Sequence, residues 1–351
     1  MSKVEMIVHE IDKSEQIQLV VKKKYPSKRI DRYLVSRLQD YSRSAIQKLI
    51  KEGAVTVNNI AVKNSYEIKL KDVISIQLPI KSNSKIVPEN IPLDIIYEDE
   101  YLMVLNKSPD MVVHPARGHA SGTLVNALTF HCNKLSSING PLRPGIVHRL
   151  DRDTSGIILA VKDEKVHKHI ALQFEKREIL KEYLAVVKGE IELDSDKIDF
   201  PIGRHKRFRK KMSIRHDTGK SAVSIFEVME RFCGYTLVKI IPETGRTHQI
   251  RVHMKTIGHP IVADSEYSNT DTCYLEDLMR PNTNTEIRNL AKVHELWDNT
   301  NKPIINRHAL HACKINFLHP VFNKTMEFTA EIPEDMHNLI TILRKIKTLL
   351  N

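Results

Sequence analysis

Apolar positions near the start of the chain change their period twice. Ile17–Val21 is a short strand-like run, followed by the basic Lys22–Lys24. Ile30, Leu34 and Leu38 then recur at i, i+4 and i+8, which predicts one buried helix face. A second helix starts near Ser42 or Ser44, whose hydroxyls can cap free backbone N–H groups. It buries Ile46, Leu49 and Ile50 and ends at Gly53. Beyond it the period drops to two. Ala54–Val57 and Ile60–Val62 flank Asn58-Asn59, a tight-hairpin pattern, because Asn tolerates positive φ. Asp72 leads another alternating run, Val73, Ile74, Ile76 and Leu78.

Residues 81–90 are polar, lack apolar periodicity and read as a linker. From Ile91 short strands and helices mix without strict alternation. Strands are expected at Ile95–Tyr97, Tyr101–Leu105, Gly156–Lys162, Tyr183–Val187, Ala222–Met229 and Tyr235–Ile241. Helices are expected from Thr123, along the face of Val166, Ile170 and Phe174, and over Met336–Leu349. This is an α+β texture built round a substantial sheet.

With 351 residues, two domains are expected at about 150 residues each, and a 41% hydrophobic content excludes disorder throughout. The longest clean apolar run, Ile157–Val161, is far short of the ~18–20 residues of a membrane-crossing helix. Met1–Glu10 has no basic segment followed by an apolar one, so no signal peptide is expected. Cys132, Cys233, Cys273 and Cys313 are scattered, which argues against a zinc site or a disulfide framework and for a cytoplasmic location. The net charge of +11 fits a polyanionic partner, since neutralising phosphates releases counterions; a lysine-rich source proteome would give the same number.

Several cofactor motifs fail on inspection. Gly219-Lys220-Ser221 resembles the end of a P-loop, but Ile214 stands where its first glycine belongs. Asp151–Gly156 mimics the start of a calcium loop whose last position is Lys162 rather than Glu. His248 and His253 are spaced five apart, one too many for a helical zinc pair, and no G-x-G-x-x-G occurs. Neither a cofactor nor a metal is expected.

Two dense polar stretches remain. Pro144–Gly156 holds His148, Arg149, Asp151, Arg152 and Asp153 just before an apolar strand, where a site on a rigid element is plausible. A self-satisfied turn, with Arg149 pairing Asp151 and Asp153 capping, reads the same residues. Glu243–Met254 follows another strand and looks like a strand-to-helix junction with Arg246 near the helix start. A buried guanidinium there needs a carboxylate, and Asp151 is the candidate; the pair would keep Asp151 ionised and oriented.

Lys28–Leu34, Ser42-Arg43-Ser44 and Ile50–Asn58 resemble the S4 RNA-binding module over about 28–79. The resemblance implies that two short helices present Arg29, Arg32, Arg43, Lys48 and Lys51 to structured RNA. The stretch His148-Arg149-Leu150-Asp151-Arg152-Asp153-Thr154-Ser155-Gly156 resembles the signature of the RluA/RluD family of pseudouridine synthases. Val113-His114-Pro115 to Asn126 precedes it, and Lys181-Glu182-Tyr183, Pro201–His205, Gly245–Arg251 and Leu310-His311-Ala312 follow in the family's order. Together the two resemblances cover about 28–330.

They imply an S4-like domain over 1–80, the linker at 81–90, and a catalytic domain over 91–351. In that domain helices and loops flank a central mixed, largely antiparallel sheet. By position Asp151 matches the family's nucleophile, attacking the sugar or the base of a uridine. Tyr183 matches the tyrosine that stacks on the base and helps remove the C5 proton, and Arg246 the arginine that pairs with the aspartate. Arg149 matches an arginine that fills the gap left by a flipped base, or serves as a phosphate clamp. The basic run with Arg204, Lys206, Arg207, Arg209, Lys210 and Lys211 matches a loop that grips RNA, in which Phe208 either stacks on a base or anchors the loop.

The implied activity isomerises uridine in structured RNA, ribosomal RNA first, by a monomer needing no cofactor. A catalytically silent RNA-binding or ribosome-assembly factor, and a synthase acting on transfer RNA, are the alternatives. The segment 269–306, containing Trp297 and a helix expected from Ile287, Leu290 and Val293, is longer than relatives have.

Overall fold

The computed structural model describes residues 7–11, 14–23, 25, 28–38, 41, 43–79, 86–115, 119–208, 211–279 and 302–350. The chain divides into two compact units, Met1–Lys85 and Ile86–Asn351.

The first unit is an antiparallel sheet carrying two short helices. Its strands β1 (Ile7–Ile11), β2 (Ser14–Val20), β3 (Val55–Val57), β4 (Ile60–Ala61) and β5 (Val73–Pro79) lie in the order β1-β2-β5-β3-β4. Ile17 pairs with Ile76 and Leu19 with Ile74, so the alternating apolar positions reach one core with Ile30, Leu34, Ile46 and Ile50. Helices α1 (Ile30–Val35) and α2 (Arg43–Lys51) supply those four residues. Gly53 ends α2 at φ +79°, and Asn58 (φ 50°) and Asn59 (φ 65°) make the β3–β4 turn by the left-handed geometry their short amides tolerate.

The second unit is built on one mixed sheet. In chain order its strands are β6 (Ile95–Glu98), β7 (Leu102–Lys107), β8 (Ser155–Val161), β9 (Leu180–Lys188), β10 (Ser195–Asp199), β13 (Val223–Phe232), β14 (Tyr235–Pro242), β15 (Leu310–His319) and β16 (Lys324–Thr329). The order across it is β10-β13-β14-β9-β15-β8-β7-β6, with β16 on β15. Every described pairing is antiparallel except β15 with β8. The strands β11 (Ile202–Arg204) and β12 (Met212–Ile214) form a separate hairpin. Helices α3 (Leu124–His131), α4 (Glu164–Lys176), α5 (Gln249–Thr256), α6 (Leu275–Met279) and α7 (Glu334–Leu350) complete the unit.

The fold is the α+β arrangement with a mixed, largely antiparallel sheet that the sequence implies. Besides β1, β10, the β11–β12 hairpin and α6, the elements missed in the sequence are β16 and β15, the latter at the centre of the sheet. Its run Leu310–His319 mixes apolar, cationic and His residues, so no clean alternation announces it.

Half of the expected linker belongs to the second unit. Asn126 of α3 donates to the Val87 carbonyl, and the Glu89 carboxylate accepts from the Gly122 N–H. The helix expected around Ile287–Val293 and Trp297 lies outside the described residues. At the flanks of that segment, α6 is buried through Leu275 and Leu278, and Cys273 bridges Ile305.

Two features fix the loop that follows Pro144. Gly156 opens β8 at φ +111°, and a Cβ there would lie 2.2 Å from the Ala312 carbonyl oxygen. Only glycine lets β8 approach β15 this closely. Lys107, at the end of β7, is buried, and its ammonium donates to the carbonyls of Ser108, Met111 and Arg152 at 2.7, 3.0 and 2.9 Å. Burial lowers its pKa to about 7, the nearby Asp153 working the other way.

Candidate active site

The loop between Pro144 and β8 and the turn between β14 and α5 face each other across one cleft of about 540 Å³. Arg149, Asp151, Tyr183, Arg246, His248 and Arg251 all line it. Each is placed by a short-range rule. In the first loop, Leu150 turns into the core and leaves Arg149 exposed and Asp151 at the cleft wall. Thr154 and Ser155 anchor the far end, meeting His308 Nε2 at 2.7 Å and His311 Nδ1 at 3.0 Å. Burial drives the pKa of His308 well below its ordinary value, as does the nearby Arg251 guanidinium, so this imidazole is neutral.

Arg307 reinforces the same loop from outside it. It donates to the Asp153 carbonyl at 3.1 Å while pairing with Asp335 of α7 at 2.6 and 2.8 Å. His148 supports it from behind: Nε2 accepts the Leu159 N–H at 2.9 Å and the ring lies on Phe174. Burial, with Lys181 second, holds its pKa down to about 3, so His148 is a neutral structural acceptor.

The turn before α5 is closed by Gln249, which accepts from the Thr244 hydroxyl and the Arg246 N–H and donates to the Val223 carbonyl. His248 caps the helix in a left-handed conformation, φ 54°. Its Nδ1 faces the Tyr267 hydroxyl at 2.9 Å and Glu266 at 3.2 Å, and its Nε2 is 3.8 Å from Asp151 Oδ2.

The guanidinium expected beside Asp151 is present, but it comes from a different arginine. Arg251 Nη1 donates to Asp151 Oδ2 at 3.1 Å, and its Nε and Nη2 fork onto Asp264 at 2.8 Å each. Arg246 instead donates Nε to the Ser221 carbonyl at 3.1 Å from a partly exposed position. The reason is helical geometry. Arg246 precedes α5 and lies on the cleft rim. Arg251, within the first turn, projects into the interior between Ile250 and Val252. Burial alone would lower its pKa, but Asp264 and then Asp151 more than offset this and raise it. The Arg149–Asp151 turn pairing does not form either; Arg152 pairs with Asp153 at 2.9 Å and Asp110 at 3.4 Å.

Tyr183 reaches the cleft from β9. Burial pushes its phenol pKa up, and the Asp151 charge adds to the shift. Lys181 lines the same wall.

Sequence reasoning missed Arg251, Asp264, Lys107 and Arg307. Each is a charged residue inside an apolar context, such as Lys107 ending Leu102–Lys107. A buried charge of that kind signals an obligatory partner elsewhere in the chain.

The basic residues divide by environment. On the β11–β12 hairpin, Arg204, Lys206 and Arg207 are exposed, and Phe208 is 54% exposed at the tip against His205. Lys211 is tied to the Glu266 carbonyl at 2.7 Å. Arg209 and Lys210 lie outside the described residues. In the first unit Arg32, Lys48 and Lys51 are exposed. Arg29 and Arg43 are committed to the buried Asp31 at 3.1 and 2.9 Å, each with an exposed edge left over. Glu98, His131 and Cys132 bring potential metal-ligand atoms within 4.8 Å of one another, but Lys162 already neutralises Glu98.

Comparison with known proteins converges on one family. The RNA pseudouridylate synthase model matches residues 101–256 and the S4 domain model residues 28–74. An uncharacterised RNA pseudouridine synthase of Bacillus subtilis is 42% identical over 94% of this chain and 99% of its own. Ribosomal large subunit pseudouridine synthase D of Zymomonas mobilis is 37% identical over 90% of this chain and 93% of its own, and that of Vibrio vulnificus is 35% identical over 95% and 96%. The solved structure of human RNA pseudouridylate synthase domain containing 4 is 20% identical, covering 72% of this chain and 93% of that one with a TM-score of 0.50, a likeness of fold.

Proposed function

The chain belongs to the RNA pseudouridine synthase family, and from that premise we propose that it converts uridines of large-subunit ribosomal RNA to pseudouridine, with Asp151 as nucleophile. The observation that carries this reading is the Asp151 carboxylate itself. It stands at the wall of a cationic cleft with one oxygen engaged by Arg251 and nearby His248. An oriented carboxylate splits a hard displacement into two easier ones. With attack at the sugar, Asp151 forms an ester to C1′ as the N1–C1′ bond breaks; the freed uracil rotates, C5 displaces the carboxylate as the C5–C1′ bond forms, and the C5 proton departs as N1 takes one up. No external oxidant, reductant or energy source enters this balance.

Base extrusion is required because the glycosidic bond is inaccessible in a stacked helix, and unstacking costs a few kcal/mol. Arg149, exposed on the rim, is placed either to fill the vacated stack or to clamp a phosphate. Tyr183 supports the base by stacking. Its raised pKa keeps the phenol protonated, which favours packing over proton removal. Arg251 takes the role that the family resemblance implied for Arg246.

The relatives named for the large ribosomal subunit motivate ribosomal RNA over transfer RNA. Action as a monomer in the cytoplasm completes the reading; among the described residues no helix is long and apolar enough to cross a membrane.

The test is mapping of pseudouridine in large-subunit ribosomal RNA treated with wild type and with Asp151→Asn. Wild type modifies defined uridines. The variant modifies none, while its RNA affinity stays within a few-fold. An active Asp151→Asn protein defeats the assignment, and a wild type that binds RNA without turnover favours a silent binding factor.

A further inference from the structure

Among the cations of the cleft, Lys181 is a half-buried one whose placement the aspartate chemistry leaves unexplained. It lies on β9 two residues before Tyr183, so by the strand's alternation both side chains share the face that lines the cleft. The residue is half-buried. Its ammonium sits 5.7 Å from the centre of the Phe174 ring, and burial lowers its pKa. Among the described residues no carboxylate pairs with it, and no nearby acid offsets the effect of burial on its charge. The buried cations of this unit have their partners: Arg251 has Asp264 and Asp151, Arg307 has Asp335, and Lys107 has three carbonyls. A desolvated charge without a counter-charge costs free energy, and that cost is recovered when an anion binds beside it.

We propose that Lys181 binds the backbone phosphate adjacent to the extruded uridine, so that the cleft grips the nucleotide at two points of one strand, the base on Tyr183 and the phosphodiester on Lys181. The proposal rests on the reading of the cleft as a uridine site. Two strand residues apart is about 7 Å, a separation that matches base and backbone of one nucleotide rather than two contacts to one ring. A compact ammonium with no fixed donor geometry suits a phosphate better than a planar base edge, where a guanidinium or amide would be the reader. Phe174 beneath the ammonium supplies an aromatic face that favours the cation while excluding water.

The test compares wild type, Lys181→Ala, Lys181→Gln and Lys181→Arg as full-length proteins. Binding to a large-subunit ribosomal RNA transcript is measured over a range of salt, and turnover on the same transcript in parallel. Lys181→Ala is expected to weaken binding about tenfold and to lower the slope of log affinity against log salt by about one, the signature of one lost phosphate contact. Lys181→Gln, which keeps the bulk, does the same, and Lys181→Arg restores the slope. An unchanged slope overturns the proposal. That holds when turnover falls, which would put Lys181 on the base, and when only thermal stability falls, which would make it a packing residue. Wild-type turnover reports separately on the enzymatic reading: if it is absent while the slope still responds, that reading fails and the phosphate contact stands.

Discussion

Arg251 holds Asp151 with one nitrogen, at 3.1 Å, and spends its other two on Asp264, at 2.8 Å each. The bidentate side fixes the plane of the guanidinium, and the single remaining donor therefore fixes where the Asp151 oxygen must sit. Asp264 is in turn locked, accepting the backbone N–H groups of Glu266 and Tyr267. The carboxylate of the proposed nucleophile is thus aimed by a chain of contacts that begins beyond α5.

This arrangement predicts a sharp contrast between the arginine before α5 and the arginine within it. Arg251→Ala leaves Asp264 buried without a counter-charge and should destabilise the protein by about 3–5 kcal/mol, with turnover lost. Arg251→Lys keeps charge but cannot reach both acids in a fork, so turnover should fall about a hundredfold or more even where the fold survives. Arg246→Ala removes only a rim contact to the Ser221 carbonyl and should shift the unfolding midpoint by no more than about 2 °C. Thermal unfolding with turnover on the same preparations checks all three; an Arg246→Ala protein less stable than Arg251→Ala would contradict the geometry.

Gly156 carries a second prediction. Its φ of +111° and the 2.2 Å approach of an added Cβ to the Ala312 oxygen leave alanine two faults at once, a strained backbone and a clash with an unyielding carbonyl. Gly156→Ala should cost roughly 3 kcal/mol or more by urea unfolding and should lower turnover further by displacing the loop that carries Asp151. The glycine needs no contact with substrate for this effect, so loss of activity without loss of stability would be the unexpected result.

The first unit has its own pH dependence. Asp31 is wholly buried, which by itself would raise its pKa, but hydrogen bonds from Gln47, Arg43 and Arg29 bring it down to about 2 from 3.8. A depressed carboxylate stabilises the folded state fully above the unfolded pKa and loses that contribution as pH falls through the folded one. The window is therefore about pH 4 down to pH 2, and the contribution is about 2 kcal/mol. Amide exchange along α1 and α2 should show Asp31→Asn opening more readily than wild type at pH 6, with the two converging near pH 2. Equal protection at pH 6 would mean the clamp contributes nothing.

Much of the molecule is legible in the sequence. The i, i+4 apolar face of Ile30 and Leu34, the helix start at Thr123, the Asn58-Asn59 turn and the apolar run into β8 are all set by neighbours in the chain. Local steric rules and periodicity read them correctly. So did the two polar stretches that form the cleft, because a loop dense in charge beside a buried strand must do something with those charges.

The amino-acid sequence by itself thus determined most of the elements, the family and the residue proposed to attack. Which arginine meets Asp151, which lysine staples its loop, and where β15 runs were decided only by the tertiary structure. These are pairings between segments about a hundred residues apart, as Arg251 and Asp151 are, and they depend on sheet register and helix phase. A charge declares locally that it needs a partner; only the packed fold, through the cost of burying it alone, chooses which partner it receives.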